Sequence, residues 1–572
     1  MNIKDDEAMG FTKPSEVKEE QPHATAAAAA SVGTGGAAAA GVTLKGTPFD
    51  EVLRHYAQHR LGFTPTNAAN FLSQLVKQRK FSSPRLIDAL REDPRFRSLC
   101  SDMVKFARAG EVEVEELVGG AWSLANLSVH LPQLREVMVK LVRENGERLS
   151  PHGLSNYLWI ISKDPTRASE EEKRLALELA RIATAKLGEF NQAELASMLW
   201  GLAKQRVCHP PLLSAAKERV TQKFGSFKSQ HQAIIAWSFA TLRSPAPALF
   251  SLLLQLPEDK VRGFRPQELS MMCWAFGTLG VNPGNLFKHV SKVAHPIVGT
   301  FTPQGLSMLM WSFGKLGVKD EALFKRICEV AEKDLGRYSP AAMGAIVWTL
   351  SETKCASPGL LLEVEKTFLA NPQTFFALEL ASLARALAVF GVARQETFFA
   401  IEKRILEPHM EKDGTESTLL RSLPTDGPVY IAWSFSRAGV RSERLLRAVS
   451  EAASERVEDL SSKQIAELLR PFGELQAQPE DLVTKISTML ESKEKKLEDF
   501  KPTQLADIAW SLAVTEANAP RLFSLIGQQV FQNFDQFSST ELSTLSWAFE
   551  VTGSEPDLAS LIVAMSQDSQ TG

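Results

Sequence analysis

The residues of this chain whose types and spacing could do chemistry are a series of tryptophans followed by cations. All ten tryptophans share one register: Trp122, Trp159, Trp200, Trp237, Trp274, Trp311, Trp348, Trp433, Trp510 and Trp547. Successive gaps are 37, 41, 37, 37, 37, 37, 85, 77 and 37 residues. Arg385 and Arg470 stand 37 residues after Trp348 and Trp433, and Ser73 takes the position in an earlier copy, which makes 13 copies. An indole can pack against the next repeat or offer a face to a planar base; packing is the expectation here and stacking the alternative. A buried anchor truncated to alanine should cost about 3–5 kcal/mol. Four to six residues past the anchors lie nine basic residues: Lys77, Arg79, Lys163, Lys204, Arg206, Arg243, Lys315, Lys354 and Arg437. They outnumber the four acids there, Asp164, Glu352, Glu474 and Glu516. Cations aligned on one edge can hold phosphates, which gives affinity without sequence information.

Other chemistry has little support. His55 and His59 are four apart, but the glutamate of a zinc-protease HExxH is missing, so they read as surface histidines. The Gly-rich "GTGG" at Gly33 has neither a strand before it nor a helix pattern after it, and no GxSxG occurs. Five scattered cysteines form no CxxC and suit a reducing compartment. No enzyme activity, metal or cofactor is expected.

The elements that must position these residues follow from the period. A repeat of 20–50 residues is the mark of a solenoid or array. In "TPQGLSMLMWSFGKLGVKDEALFKRICEVAEKDLGRYSP", Thr302 caps a helix that has Pro303 at its first position. Ser150-Pro151 and Ser339-Pro340 repeat that start, and Gly317, Gly280 and Gly439 supply the stops. A second helix follows, with Leu323, Phe324, Ile327 and Val330 at helical spacing. The expected fold is all-α: an α-solenoid of about 13 helical hairpins with a period of about 37 residues and no strand alternation. Positions −4 and +3 from the anchor are small (Ser307 and Gly314, Ser270 and Gly277, Ala233 and Ala240), which would let the next helix approach closely.

Positions −7, −3 and +4 share one helical stripe and vary between copies, as the reading face of a modular binder would. With the basic +6 position they give the candidate binding residues: Asn126, Asn156, Lys163, Ser197, Lys204, Arg206, Thr241, Arg243, Gln267, Thr278, Gln304 and Lys315. Ile234, Met271 and Met308, at three successive −3 positions, would form an exposed apolar patch if the stripe instead met a protein.

Residues 1–50, with "ATAAAAASVGTGGAAAAG", read as a disordered low-complexity tail; 51–567 form the array, irregular at 80–110 and 407–428, and 568–572 a short tail. The segment "EPHMEKDGTESTLLRSLPTDGP" reads as an exposed loop or bend. Of the net charge of −3, the first 50 residues carry all (four lysines against seven acids), leaving an electrically neutral array. Seven acids and no arginine in residues 1–50 do not make a clear transit peptide. There is no apolar run of membrane-spanning length, so no membrane insertion is expected.

The pattern of "RPQELSMMCWAFGTLGV" and "TPQGLSMLMWSFGKLGV" resembles heptatricopeptide and octotricopeptide repeats and the helical region of FAST-kinase-like proteins, from about residue 60 to 565. The resemblance implies single-stranded RNA lying along the first helices, about one nucleotide per repeat. It implies a non-catalytic role in organellar RNA processing, stability, translation or ribosome assembly, in a mitochondrion or plastid. No RAP domain, the small C-terminal domain of many relatives, is seen. The alternative is a protein–protein scaffold or structural subunit of an organellar complex, and protein partners fit either reading.

Overall fold

The computed structural model describes residues 44–79, 83–163, 169–410, 416–492 and 497–568. The tail expected at residues 1–50 lies outside the description as far as residue 43, and Asp164 is outside it too.

The fold is an all-α solenoid of helical hairpins. Numbering only the helices that carry the anchor position, α1 is Pro65–Arg79, α2 Val114–Asn126, α3 Pro151–Ser162, α4 Gln192–Lys204, α5 Ser229–Thr241 and α6 Pro266–Leu279. Then come α7 Pro303–Lys315, α8 Pro340–Thr353, α9 Ala377–Val389, α10 Gly427–Arg437, α11 Ser462–Leu475, α12 Pro502–Val514 and α13 Ser539–Thr552. Each is followed by a second helix, such as Glu321–Lys333 after α7. Caps form where the sequence places them. The hydroxyls of Ser150, Thr302 and Ser339 accept from the amides of Gly153, Gly305 and Ala342 at 3.1, 3.1 and 3.2 Å.

The chain divides into two compact units, at Val293 and Ala294. In the first, α1 to α6 pack each on the next, and the second helices from Pro94–Ala109 to Pro247–Leu254 stack likewise. In the other, α7 to α13 do the same. Small residues set the approach. A Cβ added to Gly314 would lie 2.9 Å from Thr349 Cγ2 on α8, and one on Gly473 would lie 3.1 Å from Ser511 Cα on α12.

Two irregular intervals have distinct causes. Between Ser73 and Trp122 the chain inserts a short helix, Pro84–Glu92, before the second helix Pro94–Ala109. Between Arg385 and Trp433 it inserts an antiparallel hairpin, β1 Pro408–Met410 with β2 Glu416–Thr418, followed by the helical turn Leu419–Ser422. The strands correct the expectation of none; three residues each are too few to show alternation in sequence. No helix among the described residues is long and apolar enough to cross a membrane.

Candidate nucleic-acid interface

The anchors are brought together as a ladder. In the first unit the Trp122 and Trp159 rings lie 6.0 Å apart between centroids, Trp200 and Trp237 4.4 Å, and Trp237 and Trp274 5.9 Å. A common helical position, repeated on helices packed side by side, forces this. Burial along the ladder is graded. Trp237 and Trp274 are buried, at 6% and 2% exposed, whereas Trp122, Trp159 and Trp200 are half-buried. The full truncation cost expected of an anchor therefore belongs in this unit to Trp237 and Trp274.

Cations interleave with the rings. The Lys163 ammonium sits 4.3 Å from the centre of Trp159, and that of Lys204 5.5 Å from Trp200 and 5.7 Å from Trp237. Burial against the indoles pushes the Lys204 ammonium below the usual lysine range. The other candidates scatter. Asn126 donates from Nδ2 to the Trp122 carbonyl at 2.9 Å, and its own carbonyl accepts from Arg79. Asn156 is buried, with Nδ2 3.0 Å from His152 Nε2. Ser197 is half-buried, and Gln267 is exposed at the start of α6. Thr241 and Thr278 are half-buried with hydroxyls that find no partner among the described residues.

Arg206 and Arg243 are exposed, and they share a feature that sequence reasoning missed. Position +6 takes a left-handed backbone in several copies: φ is +66° at Gly280, Gly317 and Gly439, as expected of glycine stops. It is also +54° at Arg206, +48° at Arg243 and +54° at Lys354, where the side chain makes that conformation unfavourable. The glycines marked the turn, and the constant offset from the tryptophan was the signal that the arginines share it.

The second unit has a different line. Trp311 is buried, Trp348, Trp433 and Trp510 are half-buried and Trp547 is 41% exposed. Arg385 keeps the register by pairing with Glu352 at 2.5 Å and stacking its guanidinium 5.0 Å from Tyr430 and 5.7 Å from Trp433. Arg470 pairs with Glu474 at 2.9 Å and Asp507 at 3.2 Å, and Glu474 also accepts from Ser436. Burial, ahead of neighbouring charges, holds the Asp507 carboxyl above the usual range. Here Lys315 is exposed and Gln304 half-buried. The apolar patch expected on the stripe does not form: Met271 and Met308, each in its own unit, are only 6% and 7% exposed, and Ile234 is half-buried. Position −3 is more covered than a helical wheel alone indicates.

Among the described residues no group of three or more His, Cys, Asp or Glu could hold a metal.

With this geometry in view, comparison with known proteins gives one family match. The family described as RNA-editing substrate-binding complex 6 protein matches residues 160–416, just short of half the chain. No curated protein matches. Among solved structures, the pentatricopeptide repeat protein PPR10 in complex with an 18-nt psaJ RNA element is similar at 10% identity and a TM-score of 0.32, over 91% of this chain and 93% of that one. A homology model of the full-length AP-3 complex in an intermediate open conformation is similar at 10% identity and a TM-score of 0.26, over 85% and 90%. At such scores neither likeness decides anything about this chain.

Proposed function

We propose that the chain is a non-catalytic RNA-binding helical-repeat protein of RNA editing or processing, and that a single strand lies along the tryptophan–lysine ladder of the first unit. The observation that carries this reading is the interleaving of the half-buried Trp122, Trp159 and Trp200 with Lys163 and Lys204. Rings that stack bases beside cations that hold phosphates are the two components of single-strand binding. Stacking tolerates any base, so the ladder supplies affinity, and the variable residues Ser197, Thr241, Gln267 and Thr278 of the stripe supply preference. The family match, whose description names an RNA-editing substrate-binding complex, spans the part of the ladder from Trp200 to Trp274. A mitochondrion or plastid, as the resemblance implies, is the proposed location, to be checked by imaging the tagged full chain.

The test is a titration of the full chain with a labelled single-stranded RNA pool at several salt concentrations, with duplex DNA as control. Binding that is selective for the single strand and falls with salt is expected. Lys163→Gln, Lys204→Gln and Arg206→Gln together should weaken it and flatten the slope of log affinity against log salt by about 0.7 for each phosphate no longer neutralised. Unchanged affinity in the triple variant would sink the reading. The alternative, a protein scaffold, is favoured only in the second unit, where Arg385 and Arg470 are already paired with carboxylates.

A further inference from the structure

A cavity of about 490 Å3 opens between the helix Pro94–Ala109 and the turn that follows α2. It lies where the chain departs from its period, beside the inserted helix Pro84–Glu92, whose Arg91 Nε donates to the Leu127 carbonyl at 3.0 Å. The floor is apolar and buried: Phe96, Cys100 and Val104. Burial pushes the Cys100 thiol up to about 12, so it is an inert part of that floor. The rim is cationic: Arg91, Arg97, Lys105 and Arg108 line it and no acid does. The carboxylates that offset them stand outside the lining. Asp88 pairs with Arg91 at 2.9 Å, Glu92 pairs with Arg97, and Asp102 lies 3.5 Å from Lys105 while accepting from Tyr56 at 2.6 Å. Arg108 has no ion pair among the described residues.

An apolar floor rimmed by guanidinium groups suits a nucleobase and its phosphate, because guanidinium stacks on planar rings and binds phosphate through two parallel donors. The volume is in the range of small-molecule sites, roughly 300–1,000 Å3. The cleft is also placed to meet the ladder. A second cavity, of about 270 Å3, shares Val129 and Leu131 with it and extends to Ile160 and Lys163, beside Trp159.

We infer that this cleft binds a nucleoside monophosphate, either free or as the phosphorylated end of a strand held on the ladder. The strand-end form rests on the proposed function; the free form does not. The experiment uses the full chain and two kinds of probe. The first is AMP or UMP, titrated by calorimetry. The second is one RNA oligonucleotide in three forms: 5′-phosphorylated, 3′-phosphorylated and with neither phosphate. We expect one phosphorylated form to bind at least about tenfold tighter than the bare form, the scale of one charge-assisted hydrogen bond. Arg97→Gln with Arg108→Gln should abolish that difference and leave the bare oligonucleotide's affinity unchanged. Both side chains are exposed, so folding should survive, and Lys105→Gln gives a second variant expected to act in the same direction. Mononucleotide binding without an end preference, lost in the double variant, would assign the cleft to a free nucleotide. No mononucleotide binding together with equal affinity for all three oligonucleotides overturns the inference and leaves the ladder standing. Mononucleotide binding with no oligonucleotide binding keeps the cleft and removes the ladder.

Discussion

Lys204 carries an energetic signature at the scale of one side chain. Its ammonium is half-buried against two indoles, and desolvation lowers its affinity for the proton. Between the lowered folded value and the usual lysine value the unfolded chain binds more protons than the folded one, so stability rises as pH climbs through that interval. Lys204→Met removes the buried charge while keeping an unbranched side chain. It should stabilise the protein at neutral pH by about 0.5–2 kcal/mol, with the advantage shrinking toward alkaline pH, while RNA binding weakens. Melting curves at neutral and alkaline pH, beside an RNA titration, check both halves; a variant that melts lower at neutral pH would show that the ammonium is not held at a cost. The left-handed Arg206 and Arg243 fit the same pattern, a conformation unfavourable for the residue at positions that other copies give to glycine. The register of the tryptophans was legible in the sequence because spacing alone fixes it. Which rings stay open was not, because exposure depends on the side chains that neighbouring helices bring, as the burial of Met271 shows.

At the scale of the helix, close packing between successive anchor helices depends on small residues. A Cβ on Gly314 would stand 2.9 Å from Thr349 Cγ2 and 3.3 Å from Thr349 Cα, so the branched side chain and its backbone would both have to shift. Gly314→Ala gains a little helix propensity, about 1 kcal/mol at most, against an overpacking cost of about 1–3 kcal/mol. A net loss of stability is therefore expected, and pairing it with Thr349→Ser, which removes the methyl, should restore part of it. Chemical denaturation of the single and double variants measures this, and additive effects would mean the two residues do not meet. The helices and their caps were readable because Ser-Pro and Thr-Pro starts and glycine stops are local signals. The β1–β2 hairpin and the cleft beside Pro84–Glu92 were not. The sequence marked both places only as intervals of irregular length, and what fills such an interval is decided by residues distant in sequence.

Across the whole chain the two units differ along the anchor register, where only the second replaces tryptophan by an arginine paired with carboxylates. In the first, Lys163 and Lys204 of the ladder lie over rings. In the second, Arg385 and Arg470 are held by Glu352, Glu474 and Asp507 in a run of pairs that crosses from helix to helix. Displacing Glu352 from the half-buried Arg385, or both carboxylates from Arg470, costs more than displacing one from an exposed pair such as Arg97 with Glu92, and like-charge repulsion from the remaining acids opposes a phosphate here. Arg385→Gln with Arg470→Gln should therefore leave RNA affinity within about twofold of the parent, since a surface charge that is already compensated contributes little to counterion release. The same pair should cost stability, about 1–2 kcal/mol in sum, because Arg385 is mostly buried and its loss leaves Glu352 unpaired, whereas the more exposed Arg470 contributes less. Salt-dependent RNA titrations and melts of this variant and of the Lys163, Lys204 and Arg206 triple variant separate the two effects. The triple should lose affinity and keep its fold; the pair should lose stability and keep affinity. A fall in affinity in the pair as large as in the triple would place the RNA track along both units and remove the division of labour argued from the ion pairs.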